Sequence, residues 1–235
     1  MSRDRVQPIR ERKLPERVAI DGPAASGKST VAERLAHILG YLYFDTGVMY
    51  RAVTLAAIDC YGRVDDEQAV SSLVNELQID VQQPTIDDGR KFDVLLNGQD
   101  ITWEIRTEII DANVSQVSTY PEVRKAMTAQ QRRIAEKGKL VMVGRDIGTI
   151  VLPDAELKIF LDASPEVRAH RRFLEEIGRG EAPDYETILH SIIQRDRIDS
   201  SRKIAPLIAA EDAHIINTDH LSVEEVVNVI LETYF

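Results

Sequence analysis

Between residues 22 and 30 the chain runs Gly22-Pro23-Ala24-Ala25-Ser26-Gly27-Lys28-Ser29-Thr30. Gly22 and Gly27 let the backbone turn tightly, so that successive N–H groups face one point and form an anion nest. A lysine after the second glycine can reach the outer phosphates of a nucleoside triphosphate, and the next serine can offer its hydroxyl to Mg2+. Such chemistry needs a strand before the loop and a helix after it. The flanks supply both. Arg17-Val18-Ala19-Ile20-Asp21 reads as a short strand, and Val31 to Leu39 is amphipathic and closed by Gly40. A helix starting near Lys28 adds its unpaired N–H groups and partial positive charge at the same point. The stretch reads as a P-loop that binds a nucleoside triphosphate.

Two further clusters sit where a parallel sheet would place a ligand, just past the carboxyl ends of strands. Asp45-Thr46-Gly47-Val48-Met49-Tyr50-Arg51 follows the strand-like Tyr41-Leu42-Tyr43-Phe44. Arg51 there can point a planar fork at a phosphate, or it can be an ordinary surface arginine. Gly144-Arg145-Asp146-Ile147-Gly148-Thr149 follows the continuous apolar run Leu140 to Val143. Its arginine and aspartate, flanked by glycines, suit close contact with a small polar ligand. A third cluster is the arginine density of Arg168, Arg171, Arg172, Arg179, Arg195, Arg197 and Arg202, set around a glycine-bearing loop expected from Glu175 to Pro183. Phosphoryl transfer needs charge neutralised and groups positioned, and a loop with arginines on both sides can close over ATP as a lid. Some of these arginines answer instead to nearby Glu166, Glu175, Glu176, Asp196 and Asp199 along helix faces. The five histidines show no metal-ligand spacing, and no Ser/His/Asp triad stands out.

The elements that position these groups are set by pattern. Helices are expected over Val48–Tyr61, from Asp65 or Asp66 to about Leu77, over about Thr107–Thr119, and from Pro121 to Gly138. Ser164-Pro165-Glu166 starts another, Asp184 caps one to about Ser200, and Ser222 with Glu225 forms a capping box for the last. Leu157–Leu161 and Ala213–Ile216 read as further strands. Between about 78 and 102 the texture changes to short alternating runs with a turn at Asp88-Gly89 and a hairpin at Asn97-Gly98, an antiparallel insertion. The fold class is α/β: a P-loop-type parallel sheet flanked by helices, with a small inserted antiparallel lobe expected to bind the nucleoside monophosphate and an arginine-bearing lid at about 171–184. Residues 1–16 read as a loose arm, and 17–235 as one domain with its core in 17–77 and 103–235. The chain has 235 residues, 43% hydrophobic, and a formal net charge of −10, which argues against general nucleic-acid binding. No run approaches a membrane span. Cys60, the single cysteine, allows no internal disulfide and is expected as a small buried hydrophobe in a reducing cytoplasm.

Taken together, these clusters resemble the bacterial cytidylate kinases of the nucleoside monophosphate kinase group, from about Val18 to the C-terminus. The resemblance rests on Ile20-Asp21-Gly22-Pro23 with the P-loop, Asp45-Thr46-Gly47 with Met49-Tyr50-Arg51, and Ile105-Arg106-Thr107. It continues through Ser115-Gln116-Val117, Pro121-Glu122-Val123-Arg124, Gly144 to Thr149, Pro153-Asp154-Ala155, Arg195-Asp196-Arg197 with Asp199, and Ala205-Pro206-Leu207. The resemblance implies transfer of the γ-phosphoryl of ATP to CMP or dCMP, with Mg2+, by a cytoplasmic monomer without nucleic-acid or membrane partners. It assigns Gly22 through Thr30 and Arg171 to ATP, and Lys28, Arg145 and Arg172 to the transferring phosphoryl. Arg51 and Arg145 should hold the CMP phosphate. Ser115, Arg124, Asp146 and Arg202 should line the cytosine site, and Thr46, Arg195 and Asp199 should face the sugar. Relatives usually carry an acid where this chain has Val143. Ser29 should therefore meet the metal with Asp21, and after it Asp45, as the carboxylate ordering its waters. Another acceptor such as UMP, or a catalytically weak nucleotide-binding regulator, are the rival expectations.

Overall fold

A computed structural model describes residues 14–202 and 204–235. The expected N-terminal arm lies outside the described residues up to position 13. Five strands form one parallel sheet: β1 (Arg17–Asp21), β2 (Leu42–Asp45), β6 (Leu140–Val143), β7 (Leu157–Asp162) and β8 (His214–Asn217), in the order β2-β6-β1-β7-β8. All four neighbouring pairs are parallel. The three central strands are apolar and buried, as a sheet covered on both faces demands. The register sets Asp45 beside Val143, and Asp21 beside Phe160, along one edge of the sheet. That edge carries the chemistry.

Helices α1 (Lys28–Leu39), α2 (Gly47–Tyr61) and α3 (Glu67–Leu73) come before the insertion, and α4 (Glu108–Val117) and α5 (Pro121–Ala135) come after it. The remaining helices are α6 (Pro165–Gly178), α7 (Tyr185–Ser201) and α8 (Val223–Tyr234). Their ends obey the expected chemistry. Ser164 accepts from the amide of Val167 ahead of a proline in the first turn, Asp184 accepts from Thr187, and Ser222 with Glu225 completes a reciprocal capping box. The insertion is a three-stranded antiparallel sheet, β3 (Ile79–Gln82), β4 (Asp93–Leu96) and β5 (Gln99–Asp100). Asn97 and Gly98 both have positive φ, the signature of a tight type I′ hairpin. A buried guanidinium knots this small sheet: Arg90 donates to Asp88, Asp93 and Asp100.

Two expectations are corrected. The loop placed at Glu175–Pro183 begins later, because α6 runs on through Gly178, supported by Arg172 pairing with Glu175 and Glu176 along the helix. The stop is Gly180, at φ +81°, whose amide returns to Ile177 while that of Glu181 returns to Glu176. Cys60 is exposed, not buried. It sits on the side of α2 that packs inward at Val53, Ala56 and Ala57, but the last turn overhangs the core, and Tyr61 beside it is exposed as well.

Candidate active site

The P-loop owes its shape to β1 and β7. Gly22 has φ +146°, and a Cβ there would lie 2.1 Å from the carbonyl oxygen of Leu161, so no other residue fits. Gly27, at φ +89°, is the residue before the first turn of α1. Lys28 is buried and folds back to donate to the Pro23 carbonyl at 2.5 Å and to Ser26 Oγ at 3.4 Å. Ala24 through Thr30 line cavities, whereas Gly22 and Pro23 lie beneath the loop and shape it.

Two cavities meet at this loop. The larger, about 540 Å3, runs from Ala25–Val31 to Arg171, Arg172 and Glu175 of α6 and to Thr218, Leu221 and Val226 beyond β8. Arg171 is held there by Thr218 Oγ1 and the Thr218 carbonyl. Arg172 borders the same space, but its guanidinium is paired along its own helix. The apolar wall at Leu221, Val223 and Val226 was not among the sequence candidates; its one signal was its place after the carboxyl end of the last strand.

The smaller cavity, about 360 Å3, collects all nine residues expected around a monophosphate: Thr46, Arg51, Ser115, Arg124, Arg145, Asp146, Arg195, Asp199 and Arg202. They come from α2, α4, α5, the turn after β6, and α7 with the residue after it. The strands of the inserted sheet contribute none of this lining. Tyr50, missed in the sequence, also lines the cavity, with the Arg124 guanidinium 5.7 Å from its ring centre. Lys28 and Ser29 line both cavities.

Within the smaller cavity the charges are already arranged. Asp199, 1% exposed, accepts from Arg145 Nε at 2.9 Å and pairs with Arg202. Arg145 also donates to the Gly22 carbonyl, so one side chain bridges the P-loop and α7. Arg124 Nη2 donates to Asp146 Oδ2 at 2.8 Å. Arg51 is steadied by the Ile105 carbonyl and Asp111. Arg202 Nε is buried without a partner among the described residues. Thr46 reaches the cavity, but its hydroxyl proton goes to the Val143 carbonyl at 2.8 Å, which leaves only an acceptor lone pair for a ligand.

The electrostatics favour an anion. Burial, and then the neighbouring Arg145, push the Lys28 ammonium well below its ordinary value. Burial and Arg145 likewise lower Arg195. These cations crowd one another, and Asp45, Asp21 and Asp199 offset the crowding only in part, a state that phosphates would relieve. Burial pushes the Asp146 carboxyl up, against the pull of Arg124.

The two acids expected to order the metal's waters stand in different surroundings. Asp21 is buried, and both its oxygens accept amides of the turn after β6, Ile147 N at 2.8 Å and Gly148 N at 2.7 Å. Burial raises its pKa to about 6 despite those bonds. Its carboxylate holds the turn that follows Arg145 and Asp146. Asp45 stands instead beside the P-loop serine, with Oδ2 3.4 Å from Ser29 Oγ. A hydroxyl and a carboxylate next to a triphosphate cavity form an oxygen donor set that suits Mg2+. Among the described residues there is no cluster of three or more His, Cys, Asp or Glu that would make a separate metal centre. No described helix is long and apolar enough to cross a membrane.

A family model described as Cytidylate kinase matches residues 18–235. A cytidylate kinase of Geobacillus sp. strain WCH70 is 52% identical over 216 residues, covering 92% of this chain and 95% of that protein. One from Chloroflexus aggregans is 46% identical over 222 residues, covering 94% and 95%. Among solved structures, an uncharacterised protein from Eubacterium ventriosum aligns with a TM-score of 0.51 at 13% identity, covering 94% of this chain and 97% of that one. That likeness is of fold alone.

Proposed function

The chain belongs to the cytidylate kinase family, and from that membership we propose that it transfers the γ-phosphoryl group of ATP to CMP and dCMP, giving CDP and dCDP. The observation that carries this reading is the shared wall. Lys28 and Ser29 line the triphosphate cavity and the nine-residue cavity at once, so a terminal phosphate and an acceptor phosphate would meet at one point.

Phosphoryl transfer asks for alignment and charge neutralisation rather than covalent help. Lys28 would act on the transferring group from the loop side. Arg145, anchored on Gly22 and Asp199, is suited to hold the acceptor phosphate in line with it. Arg51 supports the same phosphate from α2. For the base, Asp146 suits the exocyclic amine of cytosine, and Arg124, Ser115 and Arg202 offer donors to its acceptors. Uracil would set a carbonyl against Asp146 and leave buried groups badly paired. Mg2+, held by Ser29 with waters ordered by Asp45, would offset charge on the ATP phosphates. Arg171, docked on the loop after β8, suits the nucleotide side of the larger cavity. We read the C-terminal half of α6 with the loop after it, at about 171–184, as the lid, and Arg172 as the arginine freed from Glu175 and Glu176 when it closes. A single exposed cysteine suits a cytoplasmic protein, and we read the enzyme as a monomer.

Phosphorus NMR of a mixture of enzyme, ATP–Mg2+ and CMP tests the proposal. The expected result is loss of ATP and CMP matched by growth of ADP and CDP. ADP with free phosphate and unchanged CMP would identify a hydrolase and overturn the reading.

A further inference from the structure

We infer that Arg168, a buried arginine outside both cavities, is the positioning residue that sets the phosphate-binding face of the P-loop. Its side chain is 3% exposed and every nitrogen has a partner. Nε donates to the Ala163 carbonyl at 2.9 Å, at the end of β7. Nη1 and Nη2 make a forked pair with Asp196 of α7, at 3.0 and 2.5 Å. Nη1 also donates to the Ala24 carbonyl, in the middle of the P-loop, at 3.1 Å. One rigid guanidinium thus joins the core sheet, α7 and the loop.

The bond to Ala24 matters because of the next residue. Ala25 has φ +58°, a left-handed conformation that an alanine adopts only when its surroundings impose it. Across a trans peptide the carbonyl of one residue and the N–H of the next point in opposite directions. With the Ala24 oxygen fixed on Arg168, the Ala25 N–H must face the other way, away from the guanidinium. Ala25 lines both cavities, so an N–H turned away from the guanidinium is free to join the anion nest. Were this peptide to flip, a carbonyl dipole would replace an N–H dipole at the nest and repel phosphate. Asp196 holds Arg168 square to the loop. Because Asp196 comes directly after Arg195 and both lie on α7, the loop and the acceptor cavity share one buttress. The acceptor side has its own anchor in Arg145 on Asp199, so losing Arg168 should affect the triphosphate first.

The test compares wild type with Arg168→Met, Arg168→Lys and Asp196→Asn. ATP and CMP are titrated separately by calorimetry, with thermal melts and initial rates alongside. Arg168→Met is expected to weaken ATP by on the order of tenfold or more, and CMP by no more than about threefold. Arg168→Lys keeps a donor for Ala24 without the fork and should recover part of the ATP affinity. Asp196→Asn should fall between Lys and wild type. If Arg168→Met does not fold, the same ordering of ATP over CMP is read from the other two variants. Unchanged ATP affinity in the folded variants would overturn the inference, as would equal losses for ATP and CMP. The inference rests on the kinase reading, but the ATP titration needs no acceptor. A wild type that binds ATP and fails to phosphorylate CMP would therefore sink the kinase reading and leave this test standing.

Discussion

At the scale of single residues, the enzyme holds charges where they are costly until phosphate arrives. Lys28 sits below its ordinary 10.5 because burial and Arg145 disfavour the ammonium. A base with a lowered folded pKa lets the free protein gain stability as pH rises through that pKa toward the unfolded value. Bound phosphates raise it again, so ATP affinity should fall over the same range, and binding there should take up protons. Calorimetry in buffers of different ionisation enthalpy reads that uptake directly. Lys28→Met should keep the fold, abolish the uptake and lose most of kcat; uptake persisting in Lys28→Met would assign the proton elsewhere. Asp146 gives a second prediction. It pairs with buried Arg124, so Asp146→Ala would leave a buried charge alone at a cost of about 3–5 kcal/mol and confuse fold with recognition. Asp146→Asn keeps an acceptor for Arg124 yet loses the charge that favours the cytosine amine. It should raise KM for CMP more than for ATP and narrow the gap between CMP and UMP. A CMP:UMP ratio that does not move would remove Asp146 from base selection. The placing of Arg145 and Asp146 at the edge of a cavity was legible in the sequence, because a glycine-flanked Arg-Asp follows a buried strand there, whereas a base-reading role came only from the family resemblance. The difference between Asp21 and Asp45 was not legible. Both are acids at strand ends, and only the path of the turn after β6, which brings two amides onto Asp21, sets their surroundings apart.

At the scale of elements, the inserted sheet is the part whose internal contacts were least visible in the sequence. Its hairpin was plain from Asn97-Gly98, but the Arg90 knot was not, since three separated aspartates look like a solvated acidic stretch until the strands pair. The sheet is pinned to the core at both ends. Gln130 and Arg133 of α5 bond the backbone at Leu77 and Ile79, and Lys91 pairs with Glu33 of α1. None of its strands lines the acceptor cavity, so CMP should protect the segment C-terminal to the sheet. Hydrogen exchange with and without CMP should show slowing across Glu104–Arg106 and α4, which hold Arg51 through Ile105 and Asp111 and bring Ser115 to the cavity, and little change in β3–β5. Slowing confined to β3–β5 would mean that the inserted sheet closes over the ligand itself. The longer reach of α6 was hidden by Gly178. A glycine inside a charged helix reads as a stop, and here the pairs that Arg172 makes with Glu175 and Glu176 carry the helix beyond the point where the loop was expected to begin.

At the scale of the whole molecule, five parallel strands deliver their carboxyl ends to one edge, and two cavities open there on either side of a single loop. That much was legible from alternating apolar runs and helices, because buried parallel strands have few other ways to be satisfied. The sequence could not show which long-range partners hold the loop. Arg168 and Ala24 are 144 positions apart, Arg145 and Gly22 are 123 apart, and neither pairing leaves a local trace. The central claim is that the shared wall brings the ATP terminus to a cytidine monophosphate in particular. The most direct measurement is kcat/KM for CMP, dCMP, UMP and AMP side by side, each with saturating ATP–Mg2+. CMP and dCMP should be turned over well and UMP and AMP poorly, the gap resting on Asp146. UMP or AMP used as well as CMP, or no acceptor used at all, would contradict that claim.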